Sequence, residues 1–350
     1  KLIFKQASGT SRGVLTTKET YLLEISENNK KGIGECAIFR GLSYDDVPDY
    51  EEKLTWLCKN INLDFEVLKK ELLHYPSIIF GLEQALLNLE HGEDLYFPSD
   101  FTDGKDSIKI NGLIWMGNAD FMQSQIEEKL AKGFDCIKLK IGVDWKSEKE
   151  IIKKLREKFP KEQLELRVDA NGAFSYEEAR MVLQELADLG IHSIEQPIKK
   201  SEVRSPKSEE NSEKKSTDCC VPWNEMAKLC AETPTPIALD EELIGVIDFE
   251  EKKKLLETIK PQYIILKPAL VGGFSGSDEW IVLAESLGID WWITSALESN
   301  IGLNAICQYT YTKKNPLPQG LGTGALFTNN FETHLQLEGD QMWHKKTPYC

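Results

Sequence analysis

The sequence predicts an α/β chain: a (β/α)7β TIM-like barrel with an α+β N-terminal capping domain. Three observations predict it. Short apolar runs recur at 108–112, 136–141, 164–169, 191–195, 236–240, 262–267, 289–295 and 318–322, with helical stretches between most of them. Lys140, Asp169, Glu195, Asp240 and Lys267 each end one such run, at successive separations of 29, 26, 45 and 27 residues. A strand and its return helix take about 25–30 residues in a parallel βα repeat, and a βα barrel carries its chemistry at the C-terminal ends of its strands. The first hundred residues lack this alternation. An open doubly wound sheet is the competing fold; eight evenly spaced units with charges at successive strand ends favour closure.

Bulk composition narrows the class. At 350 residues and 41% hydrophobic, the chain can hold a large barrel and a smaller domain. Its 42 basic and 57 acidic residues leave a net charge of −15, which argues against a nucleic-acid partner, since those need clustered Lys and Arg. No apolar run reaches 18 residues, so no membrane span is expected, and no signal peptide is visible. The eight cysteines show no CxxC or zinc spacing, which points to reduced thiols and a cytoplasmic enzyme acting on a small molecule. A homo-oligomer is compatible with the composition. The sequence starts at Lys1 rather than Met, so a few residues are expected to precede it.

Residues 1–105 form the expected α+β unit. Gly13 onward and Tyr21 onward are extended, residues 26–31 are a polar turn, and Gly32-Ile-Gly-Glu-Cys36 returns as a hairpin strand. Helical periodicity follows near 46–60, 64–73 and 77–91. Residues 5–12 are rich in Gly, Ser and Thr and are expected to form a mobile loop. The barrel is expected over 106–324. The segment 199–218 is charged, Ser-rich and nearly free of large apolar side chains; it is an expected disordered insertion and accounts for the 45-residue gap. Residues 325–350 read as a loop folding back onto the N-terminal domain.

The strand ends supply the chemistry. In Ile137-Lys138-Leu139-Lys140-Ile141 the two lysines share a face and the apolar residues share the other. On an antiparallel sheet this would be a solvated lysine face; in a barrel strand the lysines point inward, and burial favours the free amine a base needs. Glu165, Arg167 and Asp169 likewise alternate with Leu164, Leu166 and Val168, either as a structural ion-pair ladder or as a functional stripe, with Asn171 at the strand mouth. Glu195 precedes Gln196-Pro197, and Asp240 follows Ile237-Ala-Leu. Alone, each is as readily a loop carboxylate or a helix N-cap. Together Asp169, Glu195 and Asp240 are three hard oxygen ligands suited to Mg2+, with Mn2+ the alternative. Lys267 faces Lys140 across them. His192 reads as structural, and neither HExxH, GxGxxG nor a P-loop occurs.

Lys138-Leu-Lys140, Arg167-Val-Asp169-Ala-Asn171, Glu195-Gln-Pro, Asp240-Glu and Lys267-Pro resemble the enolase superfamily, in its muconate-cycloisomerase-like subgroup, and Lys bases with Mg2+ are a known pattern there. Within the subgroup, Gly9-Thr-Ser-Arg12-Gly, Gly34-Glu35-Cys, Lys267-Pro-Ala-Leu-Val-Gly-Gly273, Thr294-Ser-Ala-Leu-Glu-Ser-Asn300-Ile-Gly-Leu-Asn and Gln319-Gly-Leu-Gly-Thr-Gly324 resemble the o-succinylbenzoate synthase family. The resemblance implies Mg-dependent syn dehydration of 2-succinyl-6-hydroxy-2,4-cyclohexadiene-1-carboxylate in menaquinone biosynthesis. It gives Mg2+ to Asp169, Glu195 and Asp240, the base to Lys140 and a stabilising ammonium to Lys267. Lys138 adds a like charge that favours the free amine at Lys140. Ser295, Gly322 and Thr323 would meet the succinyl tail, Asn171 and Arg167 would help orient the ligand, and residues 8–12, with Arg12, would close as a lid. N-acylamino-acid racemization and cycloisomerization share this site. Dipeptide epimerases of the subgroup carry an Asp-x-Asp at the eighth strand, where this sequence has no carboxylate. A Schiff-base barrel would not need three acids, and a non-catalytic barrel would not keep a destabilising charge cluster.

Overall fold

The structure is a computed structural model, describing residues 1–10, 13–115, 117, 119–201 and 223–345. The chain opens with two antiparallel pairs, β1 (Leu2–Thr10) with β2 (Gly13–Lys18), and β3 (Tyr21–Glu27) with β4 (Lys30–Cys36). Residues 5–10, expected as a loop, are therefore strand: Ser8, Gly9 and Thr10 pair with Leu15, Val14 and Gly13. Gly, Ser and Thr signal a loop only without a partner strand, and here the following Gly13-Val-Leu-Thr-Thr run supplies one. Residues 11 and 12 lie outside the described residues.

Three helices follow, α1 (Tyr50–Asn60), α2 (Phe65–Glu71) and α3 (Pro76–His91). The β3–β4 hairpin lies directly on α3. A Cβ at Gly32 would stand 2.1 Å from the Ala85 carbonyl oxygen, and one at Gly34 would stand 1.9 Å from that of Gly81. Glycine lets backbone meet backbone there, and Leu23, Cys36, Ile78, Ile79 and Leu82 close a core of their own beside it.

From β5 (Ser107–Lys109) and β6 (Gly112–Ile114) the chain alternates: α4 (Ala119–Ala131), β7 (Cys136–Lys140), α5 (Trp145–Lys158), β8 (Glu165–Asp169), α6 (Tyr176–Asp188), β9 (Ser193–Glu195), α7 (Asn224–Glu232), β10 (Ile237–Leu239), α8 (Phe249–Ile259), β11 (Tyr263–Leu266), α9 (Pro268–Val271), α10 (Gly273–Ser286), β12 (Asp290–Ile293) and α11 (Asn300–Thr312). Seven strands form one curled parallel sheet in the order β12-β11-β10-β9-β8-β7-β6. Local sequence explains the helices. Ser175 and Glu178 make a reciprocal capping box at the start of α6, and Ala179, Val182, Leu183 and Leu186 bury its inner face at helical spacing. Asp144 and Asp248 cap α5 and α8.

Both edge strands depart from expectation. The first apolar run splits at Ile110: β5 joins an antiparallel sheet, and β6 supplies the first parallel strand. The last run shrinks to single bridges, Gln319 with Ile110 and Gly320 with Thr294. Residues 325–345 are not simply loop. Phe327 bridges Phe4, with Lys5 N–H donating to the Leu326 carbonyl at 2.8 Å. Then β13 (Leu335–Glu338) and β14 (Gln341–His344) form a hairpin on β5. Of the 199–218 insertion, residues 202–218 lie outside the described residues. Among the described residues no helix is long and apolar enough to cross a membrane.

Candidate active site

Strand register sets the level of the charged groups. The β7–β8 ladder pairs Lys140 with Asp169, and the β8–β9 ladder pairs Asp169 with Glu195. Ala238 pairs with Glu195, so Asp240 emerges just past β10, and Lys267 follows β11 directly. All three carboxylates are about 2% exposed.

Ion pairs knit the groups together. Lys140 Nζ donates to Asp169 Oδ2 at 2.8 Å and to Asn171 Oδ1 at 2.5 Å. Lys138 Nζ donates to Glu195 Oε2 at 2.7 Å and lies 3.5 Å from Asp169 Oδ2. Lys267 Nζ donates to Asp240 Oδ2 and lies 3.8 Å from Glu195 Oε1. Burial disfavours both Lys138 and Lys267 as ammonium ions, but the neighbouring carboxylates outweigh it and both are held above the ordinary lysine range. Burial also opposes ionisation of Asp169, yet Lys140 and Lys138 keep its carboxyl well below the usual range. Glu195 goes the other way, pushed up to about 7 by burial and by the Asp169 charge. Burial likewise raises Asp240, against the pull of Lys267.

This donor set fits a hard divalent cation. Glu195 Oε1 is buried without a hydrogen-bond partner, and three clustered acids gain from a cation that relieves their repulsion. Among the described residues, these three do not offer oxygens all within 4.8 Å of one another.

Above the acids opens a cavity whose empty space, open solvent at its mouth included, is about 820 Å³. Lys138, Lys140, Asp169, Asn171 and Lys267 line its floor, and Ser295, Gly320, Gly322 and Thr323 line one wall. Ser295 Oγ and Thr323 Oγ1 share a hydrogen bond of 2.6 Å. Phe39 and Leu42 from the N-terminal unit, with Leu113 in β6 and Trp115 just after it, supply apolar wall. Lys140 and Lys267 thus stand four strands apart around the curled sheet on one cavity.

Other expected residues lie elsewhere. Arg167 is not in the cavity wall: it donates to Glu165 Oε1 at 2.7 Å and the Pro318 carbonyl at 2.9 Å, and stacks 4.2 Å over Trp292. It shares the inward face with Asp169 but sits two residues, roughly 6–7 Å, deeper along the strand. Arg12 lies outside the described residues. His192 packs on Tyr263, ring centroids 4.9 Å apart, away from the cavity. Glu241 was missed by sequence reasoning. It lines the cavity and accepts from Asn171 Nδ2 at 3.0 Å. Its signal was weak because an acid after Asp240 reads as first-turn helix chemistry. Asn171 itself holds φ at 44°, a left-handed backbone that Asn tolerates better than most residues.

Comparison with known proteins follows the same outline. The enolase C-terminal domain-like family model matches residues 122–208. The chain is 42% identical to the o-succinylbenzoate synthase of Desulfotalea psychrophila, over 97% of this chain and 95% of that one. The crystal structure of MenC from the same organism matches with a TM-score of 0.82 at 40% identity, covering 98% of this chain and 97% of that one. A substrate-liganded L-Ala-D/L-Glu epimerase from Bacillus subtilis gives a TM-score of 0.78 at 20% identity, covering 98% and 93% of the two chains. That last likeness is one of fold.

Proposed function

Because the chain belongs to the o-succinylbenzoate synthase family of the enolase superfamily, we propose that this enzyme dehydrates 2-succinyl-6-hydroxy-2,4-cyclohexadiene-1-carboxylate to its aromatic product, the step named for menaquinone biosynthesis, in the cytoplasm. One observation carries the reading: Lys140 and Lys267, four strands apart on one curled sheet, line one cavity beside three buried acids. We read the seven parallel strands and the bridges at Gln319 and Gly320 as a (β/α)7β barrel, with residues 1–105 and 325–345 as its cap.

Asp169, Glu195 and Asp240 would hold Mg2+. Bound there, the ion supplies positive charge beside the ring carboxylate as negative charge develops on it. Lys140, as free amine, takes the proton α to that carboxylate. The resulting ammonium then returns a proton to the departing hydroxyl. One group on one face thus performs a syn loss of water, and the ring becomes aromatic. Lys267 stays cationic because Asp240 and Glu195 outweigh its burial, and it stabilises the enediolate from the other side. Asn171, fixed between Lys140 and Glu241, aims the base. Ser295, Thr323 and the backbone of 320–324 meet the succinyl tail, and Leu113, Trp115 and Phe39 exclude water.

The test is to add the hydroxy-cyclohexadiene substrate with and without Mg2+ and follow ultraviolet absorbance as the diene aromatises. Rapid metal-dependent loss of the diene signal is expected. No change with metal demonstrably bound would overturn the dehydration and leave racemization, read by deuterium exchange into N-acylamino acids.

A further inference from the structure

The C-terminal hairpin carries a second polar cluster, none of which lines the cavity. Asp94 lies just beyond α3, His334 just ahead of β13, and His344 ends β14. The β13–β14 ladder pairs Leu335 with His344. That register sets His334 beside His344, with ring centroids 5.4 Å apart. Both rings turn a nitrogen to one carboxylate oxygen: His334 Nδ1 is 2.6 Å and His344 Nε2 is 3.1 Å from Asp94 Oδ2. Among the described residues this is the one group of three His, Cys, Asp or Glu whose ligand atoms all lie within 4.8 Å of one another.

The surroundings are those of a built site. His344 is fully buried and its Nδ1 has no partner, so its single polar engagement points into the cluster. Asp94 Oδ1 is also buried without a partner, a carboxylate oxygen with lone pairs in reserve. Asn304 on α11 orients the acid, donating to the Asp94 carbonyl at 2.9 Å and reaching Oδ2 at 3.4 Å. Burial works against ionisation of Asp94, but the two histidines hold its carboxyl down to about 2. The His334 side chain is 37% exposed, which leaves an entry path and room for water.

We propose that Asp94, His334 and His344 bind a divalent cation of the zinc class, apart from the oxygen-only set in the cavity. Two imidazole nitrogens and one carboxylate oxygen are a three-ligand set that leaves the fourth tetrahedral position to water. Nitrogen donors select zinc, cobalt or nickel over magnesium. Each imidazole binds through a lone pair. The proton it now shares with Asp94 leaves that nitrogen, and a neutral ring keeps its one proton on the other nitrogen. A ring that starts doubly protonated gives one proton to solvent, so binding weakens as pH falls. The bound ion would tie the segment after α3 to the C-terminal hairpin.

Chelator-stripped full-length protein, saturated with Mg2+, is titrated calorimetrically with Zn2+. One equivalent should bind that excess Mg2+ does not displace. His334→Gln and Asp94→Asn should each weaken it at least ~10-fold, while Asp240→Asn keeps it. Since His334 is partly exposed, His334→Gln is expected to fold, checked by circular dichroism. Co2+ in the wild-type protein should give a tetrahedral visible absorbance band, a readout that needs no variant. Equal Zn2+ affinity in wild type and His334→Gln overturns the site, as does Zn2+ uptake that only Asp240→Asn removes.

Discussion

Lys140 bonds Asp169, the last residue of the neighbouring strand, and Asn171 in the turn just past it, and through Asn171 it is tied to Glu241. Removing the amide breaks both links at once. Asn171→Ala should therefore lower kcat more than it raises KM, by about 10-fold or more, because a misaimed base costs the transition state and not the bound substrate; an effect confined to KM would mean that Asn171 only binds. Asp240→Asn keeps the shape of the site but removes a charge. The Mg2+ concentration for half-maximal activity should rise by about 10–100-fold, and an unchanged metal requirement would exclude Asp240 from the ligand set. At this scale the sequence was most legible. Strand alternation gave the inward face of Lys138, Lys140 and Asp169, because side-chain period two is a property of the strand alone. It could not give depth, so Arg167 looked equivalent to Asp169 although it is committed to Glu165, Pro318 and Trp292.

The elements depend on contacts that differ in how local they are. Helices α1, α2 and α3 were readable because their apolar spacing, with Asp64 capping α2 and Pro76 opening α3, lies within a few residues. The β1 strand and the β13–β14 hairpin were not, since a Gly/Ser/Thr-rich or polar run becomes a strand only when a partner arrives. The two-residue remnant at Gln319 and Gly320 is the extreme case: its strand character rests on bridges to Ile110 and Thr294. The hairpin glycines make an element-scale prediction. A methyl at Gly34 would press on the Gly81 carbonyl 1.9 Å away, and backbone cannot step aside as a side chain can. Gly34→Ala should cost about 1–3 kcal/mol or more, read as a lower urea midpoint. An unchanged midpoint would mean that hairpin and α3 do not approach this closely.

Across the whole molecule, the N-terminal unit is joined to the sheet by a carboxylate. Glu35, at the end of β4, accepts from the Ser299 backbone N–H at 3.0 Å, the Ser299 hydroxyl at 2.6 Å and the Gly302 N–H at 2.9 Å. These are N-terminal groups of α11, where a negative charge is favoured. Beside it, Lys18 and Glu298 are buried. Burial pushes Glu298 up to about 7, against the charge of Lys18. The carboxyl is thus retained as an acid in the fold and ionised in the unfolded chain between its ordinary value of 4.5 and about 7. Its contribution is fully present below pH 4.5 and lost as pH rises through 7. The loss is on the order of 3 kcal/mol, at ~1.4 kcal/mol per pH unit. Between pH 5 and pH 8 wild type should lose more urea resistance than Glu298→Gln, whereas parallel losses would show that Glu298 does not titrate in the fold. None of this was readable in sequence, because 18, 35 and 298 meet only once the N-terminal unit is seated on the sheet.

The central claim is that Lys140 does the proton work while the three acids do the metal work, so the two functions should separate in one variant. Lys140→Ala, assayed with the hydroxy-cyclohexadiene substrate at saturating Mg2+, should lose turnover by roughly 10²–10⁴-fold or more while calorimetry shows Mg2+ binding essentially as in wild type. Substantial dehydration by that variant with its metal bound would contradict the account.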